Sequence, residues 1–356
     1  RYAYFSCLVL AIGTQVTAVA IYMDYWFPGV PGAYWILGFA AGLVAVNALS
    51  VRVFGSIEYV FSMIKIVAIV AFILLGAWLL STAAPDSPVG FANYASDGGF
   101  MPNGLWGVWV AVIIALFSYF SVEMIAVAAG EAAEPERAIK SAFKATVFRL
   151  VLFYLLTLAV MLAIVPWREA GAGGSPFVSV MAATGIPYAA GIINFVILVA
   201  ALSAMNSQLY GATRMLFSLS RAGFAPEALG RVSERGVPLA ALALSTAGIA
   251  LAAIVYVLRP DDAFTFMISI AIFGALFTWA MIFITHIHFR RRHPEGAAAF
   301  RMWGAPWTSI AGALLVVAIL VTTLFTDEFR MTLVYGLPLL ALLSGLYVWR
   351  FRKRPA

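Results

Sequence analysis

Charged residues are scarce in this sequence. Only 11% of its 356 residues are charged while 63% are hydrophobic, and the mean hydropathy is +0.98. A soluble domain carries about 25% charged residues, so these charges are too few to cover a surface that faces water. We therefore expect most of the chain to lie in a lipid bilayer, where long apolar segments are stable.

Cysteine and histidine are also scarce. The single cysteine, Cys7, excludes a disulfide within the chain, and one cysteine with three histidines argues against a structural zinc site. The histidines His286, His288 and His293 flank three consecutive arginines, which would repel a metal ion. We interpret this segment as a solvated basic loop, and we predict no metal site and no cofactor.

Enzyme signatures and an initiator methionine are missing as well. The chain has no G-x-x-x-x-G-K-[ST] phosphate loop, which argues against ATP-driven pumping, and no H-E-x-x-H motif. Its apolar runs contain no nucleophile–base cluster. We predict that the protein is not an enzyme. Because Arg1 leads almost directly into an apolar run, we also expect a chain truncated at its N-terminus.

What the sequence does contain is a series of long apolar runs. About 20 apolar residues cross the roughly 30 Å hydrocarbon core as a helix. The sequence therefore predicts an all-α, polytopic helix bundle that forms one transmembrane domain over residues 1–356. Ten spans are expected, at about 3–23, 33–51, 58–80, 105–128, 146–166, 177–205, 238–258, 263–285, 306–326 and 331–349.

The basic residues are distributed unevenly between the two sides of the membrane. If the chain changes sides at every span, nineteen of the 22 lysines and arginines fall on one side, and the exceptions are Arg168, Arg259 and Arg330. Cytoplasmic loops are enriched in lysine and arginine. We predict a multi-pass protein of the cell membrane (inner or plasma) with both chain ends in the cytoplasm. This topology explains the net charge of +6 without a nucleic-acid partner.

Glu123 is one of two charged residues that lie more than one helical turn inside a predicted span. A charge at mid-bilayer costs several kcal/mol, so such residues are often functional. Glu123 ends the stretch F-S-Y-F-S-V-E at 117–123. This polar and aromatic stretch suits a locally unwound helix whose freed backbone groups face a cavity. The alternative is a carboxylate that simply extends to the interface.

Lys65 is the second charged residue, and two interpretations of it stay open. Its long side chain can extend to the headgroups from inside the span. Alternatively, it is a buried lysine that gains and loses a proton during transport.

The polar residues around the end of the sixth span present a similar choice, since they either bond a neighbouring helix or line a transport path. They are Asn194, Ser203, Asn206 and Ser207.

Several segments resemble the amino-acid permeases of the amino acid–polyamine–organocation superfamily, amino acid transporter type. The most specific is G-E-A-A-E-P-E-R-A-I at 130–139, which is similar to the family's G-E-x-x-x-P-x-x-x-I signature. The resemblance follows the whole chain in order and loop spacing. Its other segments lie at 21–28, 204–207, 213–216, 220–223 and 231–238.

This resemblance implies a twelve-helix transporter with a five-plus-five inverted repeat and two trailing helices, of which the chain holds helices three to twelve. It places Glu123 as a gate that helps control opening to the cytoplasm. Ser121 stands where the family usually has glycine. The residues implied at the substrate site are Phe117, Ser118, Tyr119, Phe120 and Ser121.

The resemblance also gives Lys65 a role, because it is similar to a lysine that replaces a coupling sodium ion in some relatives. We therefore predict a secondary active transporter that moves amino acids across the cytoplasmic membrane by proton symport with alternating access. Its partners are then the amino acid, the coupling proton and the lipid bilayer. An amino-acid or polyamine exchanger on the same fold is the main alternative. A channel is disfavoured because the sequence shows no rings of charge.

Overall fold

A computed structural model of the chain describes residues 1–49, 51–84, 87–129, 134–170, 175–293, 302–327 and 329–351. The regular secondary structure of these residues is entirely helical. The α-helices are α1 Tyr2–Asp24, α2 Gly32–Leu49, α3 Val51–Thr82, α4 Gly104–Ser118, α5 Met124–Ala129, α6 Pro135–Ile164, α7 Trp167–Ala170, α8 Pro176–Ala183, α9 Ala189–Arg221, α10 Leu239–Ser245, α11 Ala247–Leu258, α12 Pro260–Arg292, α13 Trp307–Thr322 and α14 Met331–Phe351. Short 3₁₀ turns lie at Phe91–Tyr94, Glu227–Gly230 and Thr323–Phe325.

Most of these helices are long and apolar. Within the described residues, nine helical segments are long and apolar enough to cross a membrane, and α4 is a shorter apolar helix. Helices dominate because a backbone in lipid must satisfy its own hydrogen bonds. The predicted polytopic membrane helix bundle is thereby confirmed. The inverted repeat and the single domain over 1–356 stay predictions.

The chain forms two compact units. Unit 1 consists of Arg1–Thr14, Trp109–Lys140 and Gln208–Ala356, and unit 2 of Gln15–Val108 and Ser141–Ser207. The boundaries fall inside α1, α4, α6 and α9, so each of these helices contributes residues to both units.

Unit 1 is built around α12, which packs against α11, α13 and α14. Its central residues from Ser269 to Leu276 are buried without a break, as expected for a helix that is enclosed on all sides. Ile272 and Leu276 of this stretch form a buried cluster with Ile113, Val316, Ile319 and Phe329. A second buried cluster of unit 1 contains Tyr4, Leu8, Val9 and Ala212.

Two glycines of unit 1 bring α1 and α11 into close contact. A Cβ atom added at Gly248 would overlap the carbonyl oxygen of Val9, and one added at Gly13 would lie 3.2 Å from the carbonyl oxygen of Gly248. Small residues let membrane helices approach each other to backbone contact. Glycine at position 248 is therefore a packing requirement.

Unit 2 has its own apolar core, formed where α3 and α6 approach each other. Phe72 of α3 packs with Val160 and Ile164 of α6. A Cβ atom at Gly76 would overlap the Val160 side chain, so glycine permits this approach as well. A polar contact adds to the packing, because Asn194 Nδ2 donates to the carbonyl oxygen of Tyr22 at 2.8 Å.

The structure corrects the predicted sixth span at 177–205. Residues Pro176–Ala183 form the separate short helix α8, and α9 begins only at Ala189. The turn between them contains Gly185, which has φ 67°, and Pro187, whose ring and missing N–H interrupt a helix. The sixth span was predicted to end at 205, but α9 continues to Arg221, and the 3₁₀ turn Glu227–Gly230 follows it.

The prediction of a solvated basic loop around His286 and His288 is also wrong. Both histidines lie in α12, which ends at Arg292. The Nδ1 atom of His286 lies 2.8 Å from Ser309 Oγ. Three arginines in the last turn suit a helix C-terminus, where cations interact favourably with the helix dipole.

Candidate functional site

The first candidate site lies in unit 1, where the fourth apolar run is interrupted. Helix α4 ends at Ser118 and α5 begins at Met124, with turns in the break, residues 119–123. The amides of Tyr119 and Phe120 donate to carbonyls three residues back, both at 3.0 Å. The helical i→i−4 pattern therefore stops here, and the interruption predicted at 117–123 is present.

Ser121 adopts an unusual backbone conformation within the break, with φ 75°. This left-handed region costs a residue that carries a Cβ atom about 1–2 kcal/mol, whereas glycine enters it freely. The observation explains on physical grounds why glycine suits this position. It also shows that serine can occupy the turn while the break keeps its form.

The two phenylalanines predicted at the substrate site lie parallel to each other. The rings of Phe117 and Phe120 are 5.9 Å apart with an interplanar angle of 9°. Phe117 packs on the cluster that contains Ile113, and Phe120 packs on the cluster that contains Tyr4. Both rings are partly buried and leave part of their surface available to a ligand.

The hydroxyl-bearing residues of the same stretch also lie at the break. Ser118 is exposed at the end of α4, where its hydroxyl donates to the carbonyl of Ile114 at 3.2 Å. Tyr119 and Ser121 are partly exposed. The five predicted residues therefore lie at one interruption. Their contact with a substrate stays a prediction.

Glu123 ends the break and bonds to two other helices of unit 1. Its Oε1 atom accepts a hydrogen bond from the Tyr4 hydroxyl at 2.9 Å, and Oε2 accepts one from Trp279 Nε1 at 3.1 Å. Tyr4 lies on α1 and Trp279 on α12. The fold therefore positions this carboxylate through two protein donors, and its role as a gate stays a prediction.

Sequence reasoning missed both of these donors. Tyr4 and Trp279 belong to apolar runs, where aromatic residues are common at membrane interfaces. Both oxygens of Glu123 are engaged, and hydrogen bonds to a charged acceptor are stronger than neutral ones. The arrangement links α1, the break and α12 through one side chain.

The second candidate site lies in unit 2 and contains Lys65. The Lys65 Nζ atom donates to Ser203 Oγ at 2.6 Å and lies 3.7 Å from Glu58 Oε1. Because α3 begins at Val51 rather than near residue 58, Lys65 lies about four turns from the helix start. The ammonium group is bound by protein side chains of unit 2, and its role in proton coupling stays a prediction.

Two further side chains, Asn47 and Asn206, complete what we call the Lys65 network, which consists of Asn47, Glu58, Lys65, Ser203 and Asn206. The Ser203 hydroxyl donates to Glu58 Oε1. The Asn206 amide donates to Glu58 Oε2 at 3.3 Å and accepts from Asn47 Nδ2 at 2.8 Å. Asn47, Ser203 and Asn206 are buried. Ser203 and Asn206 are among the polar residues that the sequence indicates as pathway or helix-bonding residues, whereas Asn47 and Glu58 are not predicted.

Glu58 could have been found from its spacing. Residues seven apart lie on the same face of an α-helix, two turns from each other. Glu58 and Lys65 have this spacing and form an ion pair on α3. The carboxylate offsets the charge of the ammonium group, which lowers the cost of holding either one inside the bilayer.

A bundle of long apolar helices, one of them broken beside a bound carboxylate, is the architecture of a multi-pass membrane transporter. The chain belongs to the amino acid permease family, whose profile matches residues 2–355. The predicted resemblance is thereby confirmed, and members of this family are transporters rather than enzymes. In the signature segment at 130–139, residues 130–133 lie outside the described residues.

Curated relatives match almost the whole chain. An uncharacterized amino acid permease from Bacillus subtilis, YtnA, is 35% identical over 359 residues, covering 99% of this chain and 78% of the relative. The aromatic amino acid transport protein AroP of Salmonella typhimurium is 34% identical over 346 residues, covering 96% of this chain and 75% of the relative. AroP of Escherichia coli is 34% identical over 345 residues, with the same coverage.

Proposed function

We propose that this protein takes up amino acids across the plasma membrane by proton symport with alternating access, and that both ends of the sequence are cytoplasmic. The observation that carries the proposal is the bonding of Lys65 in unit 2 to Ser203 and Glu58. Ionisable residues held in pairs inside membrane helices typically mark ion and proton pathways. A lysine in such a site can release and regain one proton in each transport cycle.

The break in unit 1 is the proposed substrate site. Broken helices of other transporters direct backbone groups at the charged ends of their substrates, and we assign the same role to this break. We assign the surrounding contacts to Phe117, Ser118, Tyr119, Phe120 and Ser121. Glu123, held by Tyr4 and Trp279, is the proposed gate that controls opening to the cytoplasm.

The substrate class that we propose is large apolar and aromatic amino acids. Two observations support it. The break presents the rings of Phe117, Tyr119 and Phe120, which suit an apolar or aromatic side chain, and relatives at 34% identity are named aromatic amino acid transport proteins. In competition experiments, phenylalanine, tyrosine and tryptophan should reduce uptake of a labelled substrate more than aspartate or lysine. Equal competition by all five would contradict this assignment.

Proton coupling is tested with the full-length protein in liposomes. We expect an acidic exterior to drive accumulation of labelled phenylalanine and an uncoupler to abolish it. Lys65→Met should lose the accumulation, whereas the matched variant Lys144→Met, at an exposed position of α6, should keep it. Uptake that is independent of the pH gradient but requires substrate on the opposite side of the membrane would identify an exchanger instead. Ohmic current without saturable uptake would identify a channel.

A further inference from the structure

We propose that Glu58 is the proton acceptor of Lys65 and that the Ser203 hydroxyl carries the proton between them. This inference rests on the proposed proton symport and adds a second titratable residue to it. It concerns the Lys65 network of unit 2, in which Glu58 and Lys65 are the titratable groups. The residues that α2 and α9 add to the network are Asn47, Ser203 and Asn206, which do not titrate.

The distances place the serine hydroxyl between the two charged groups. Lys65 Nζ lies 2.6 Å from Ser203 Oγ, and the Ser203 hydroxyl in turn donates to Glu58 Oε1. The direct separation of Nζ and Oε1 is 3.7 Å, which is too long for a good hydrogen bond. Ser203 has no exposed surface. The hydroxyl is therefore the bonded link between the two groups in the structure.

The orientation of each hydrogen bond suits a transfer in one direction. The Ser203 oxygen accepts from the lysine while its own hydrogen points at the carboxylate. In the step, one Nζ–H bond of Lys65 breaks and that proton binds to Ser203 Oγ. The original hydroxyl proton moves to Glu58 Oε1 at the same time. Lysine becomes a neutral amine, glutamate a carboxylic acid, and the serine hydroxyl is restored.

Charge balance makes this transfer feasible in an apolar surrounding. The ammonium–carboxylate pair and the amine–acid pair both have a net charge of zero. A single unpaired charge in the interior would cost several kcal/mol, and the transfer leaves none. Lys65 can therefore give up its proton without leaving an unpaired charge in the network.

Asn206 and Asn47 fix the carboxylate in the required orientation. Asn206 Oδ1 accepts from Asn47 at 2.8 Å, so its amide nitrogen must face Glu58 Oε2, where it donates at 3.3 Å. Because Asn206 occupies Oε2, the other oxygen is left to Ser203. We therefore assign Asn206 and Asn47 as positioning residues.

Glu58→Gln tests the inference, because an amide accepts a hydrogen bond from Ser203 but does not take up a proton as a carboxylate does. In the full-length protein in liposomes, we expect the initial rate of uptake driven by a pH gradient to fall by about a hundred-fold. Counterflow of labelled against unlabelled phenylalanine needs no net proton movement and should be retained. The matched variant Glu227→Gln, at an exposed position in a 3₁₀ turn, should behave like the parent protein in both assays.

Several results would overturn the inference. Parent-like gradient-driven uptake in Glu58→Gln would do so, and so would loss of counterflow in a variant that elutes and melts like the parent. If Glu58→Gln does not fold, a comparison of Ser203→Ala with Ser203→Thr tests the relay instead, since only threonine keeps the hydroxyl. Ser203→Ala with parent-like gradient-driven uptake would then refute the relay. If the parent protein itself shows no response to the pH gradient, the symport proposal fails instead.

Discussion

The hydroxyl of Tyr4 lies 2.9 Å from Oε1 of Glu123, although 119 residues separate them in the chain. Tyr4 is buried with its ring in an apolar cluster of unit 1. This hydrogen bond ties the end of the break to α1. A change that removes only the hydroxyl therefore tests whether the contact holds the break in its present conformation.

Tyr4→Phe keeps the ring and removes one donor to Glu123. We expect a loss of stability of about 1 kcal/mol and a faster reaction of a thiol reagent with a reporter cysteine introduced by Ser118→Cys. Cys7 is only 1% exposed, so its background labelling should be low. Tyr2→Phe is the control, since the Tyr2 hydroxyl donates to the Phe224 carbonyl rather than to Glu123. Equal labelling rates in the two tyrosine variants would argue against a gate at this contact.

Ser121→Gly should stabilise the protein, because glycine adopts φ 75° without the strain that serine carries there. The expected gain is about 1 kcal/mol, seen as a higher midpoint of thermal unfolding in detergent. Ser118→Gly is the matched control, because Ser118 is the last residue of α4. It should leave the midpoint nearly unchanged, since glycine costs roughly 0.5–1 kcal/mol only in the interior of a helix. An equal rise of the midpoint in both variants would contradict this account of the break.

Gly248→Ala should force α1 and α11 apart, because the new methyl group would overlap the carbonyl oxygen of Val9. We expect a loss of about 1–3 kcal/mol, again measured by thermal unfolding. Gly42→Ala in α2 provides the comparison, since a Cβ atom there has no neighbour within 4 Å. That variant should unfold at or above the parent midpoint. Similar losses in both variants would mean that the effect is not due to close helix packing.

The bond between Asn47 and Asn206 is suited to a double-mutant cycle. Each asparagine is changed to alanine alone and then both together, and unfolding is measured for every variant. We expect a coupling energy of about 0.6–2 kcal/mol, as found for polar contacts between membrane helices. Asn206→Ala should cost more than Asn47→Ala, because it also removes the donor to Glu58. Strictly additive effects would show that the 2.8 Å contact adds no stability.

Much of the fold could be predicted from apolar run length alone. A run such as 331–349 agrees closely with α14, Met331–Phe351, because a helix is the simplest way to satisfy a backbone in lipid. Helix ends were less predictable. Helix α9 continues to Arg221 through the polar residues 206–208, since buried polar side chains can bond neighbouring helices and so be tolerated inside a span.

The candidate sites were predictable in part. Charges inside apolar runs identified Glu123 and Lys65, and the polar stretch at 117–123 indicated the break. The partners Tyr4 and Trp279 were not predictable, because they resemble ordinary interfacial aromatic residues. Glu58 was overlooked because α3 begins earlier than its apolar run and so holds Glu58 well inside the helix.

Hydropathy, charge distribution and local motifs are properties of neighbouring residues, so the sequence alone was enough to predict a multi-pass helical membrane protein of the amino acid permease family. The groups that bind Glu123 and Lys65 became known only from the folded chain. Glu123 bonds across 119 and 156 residues, and Lys65 across 138. Such contacts depend on how the helices pack against each other, which no local pattern of residues specifies.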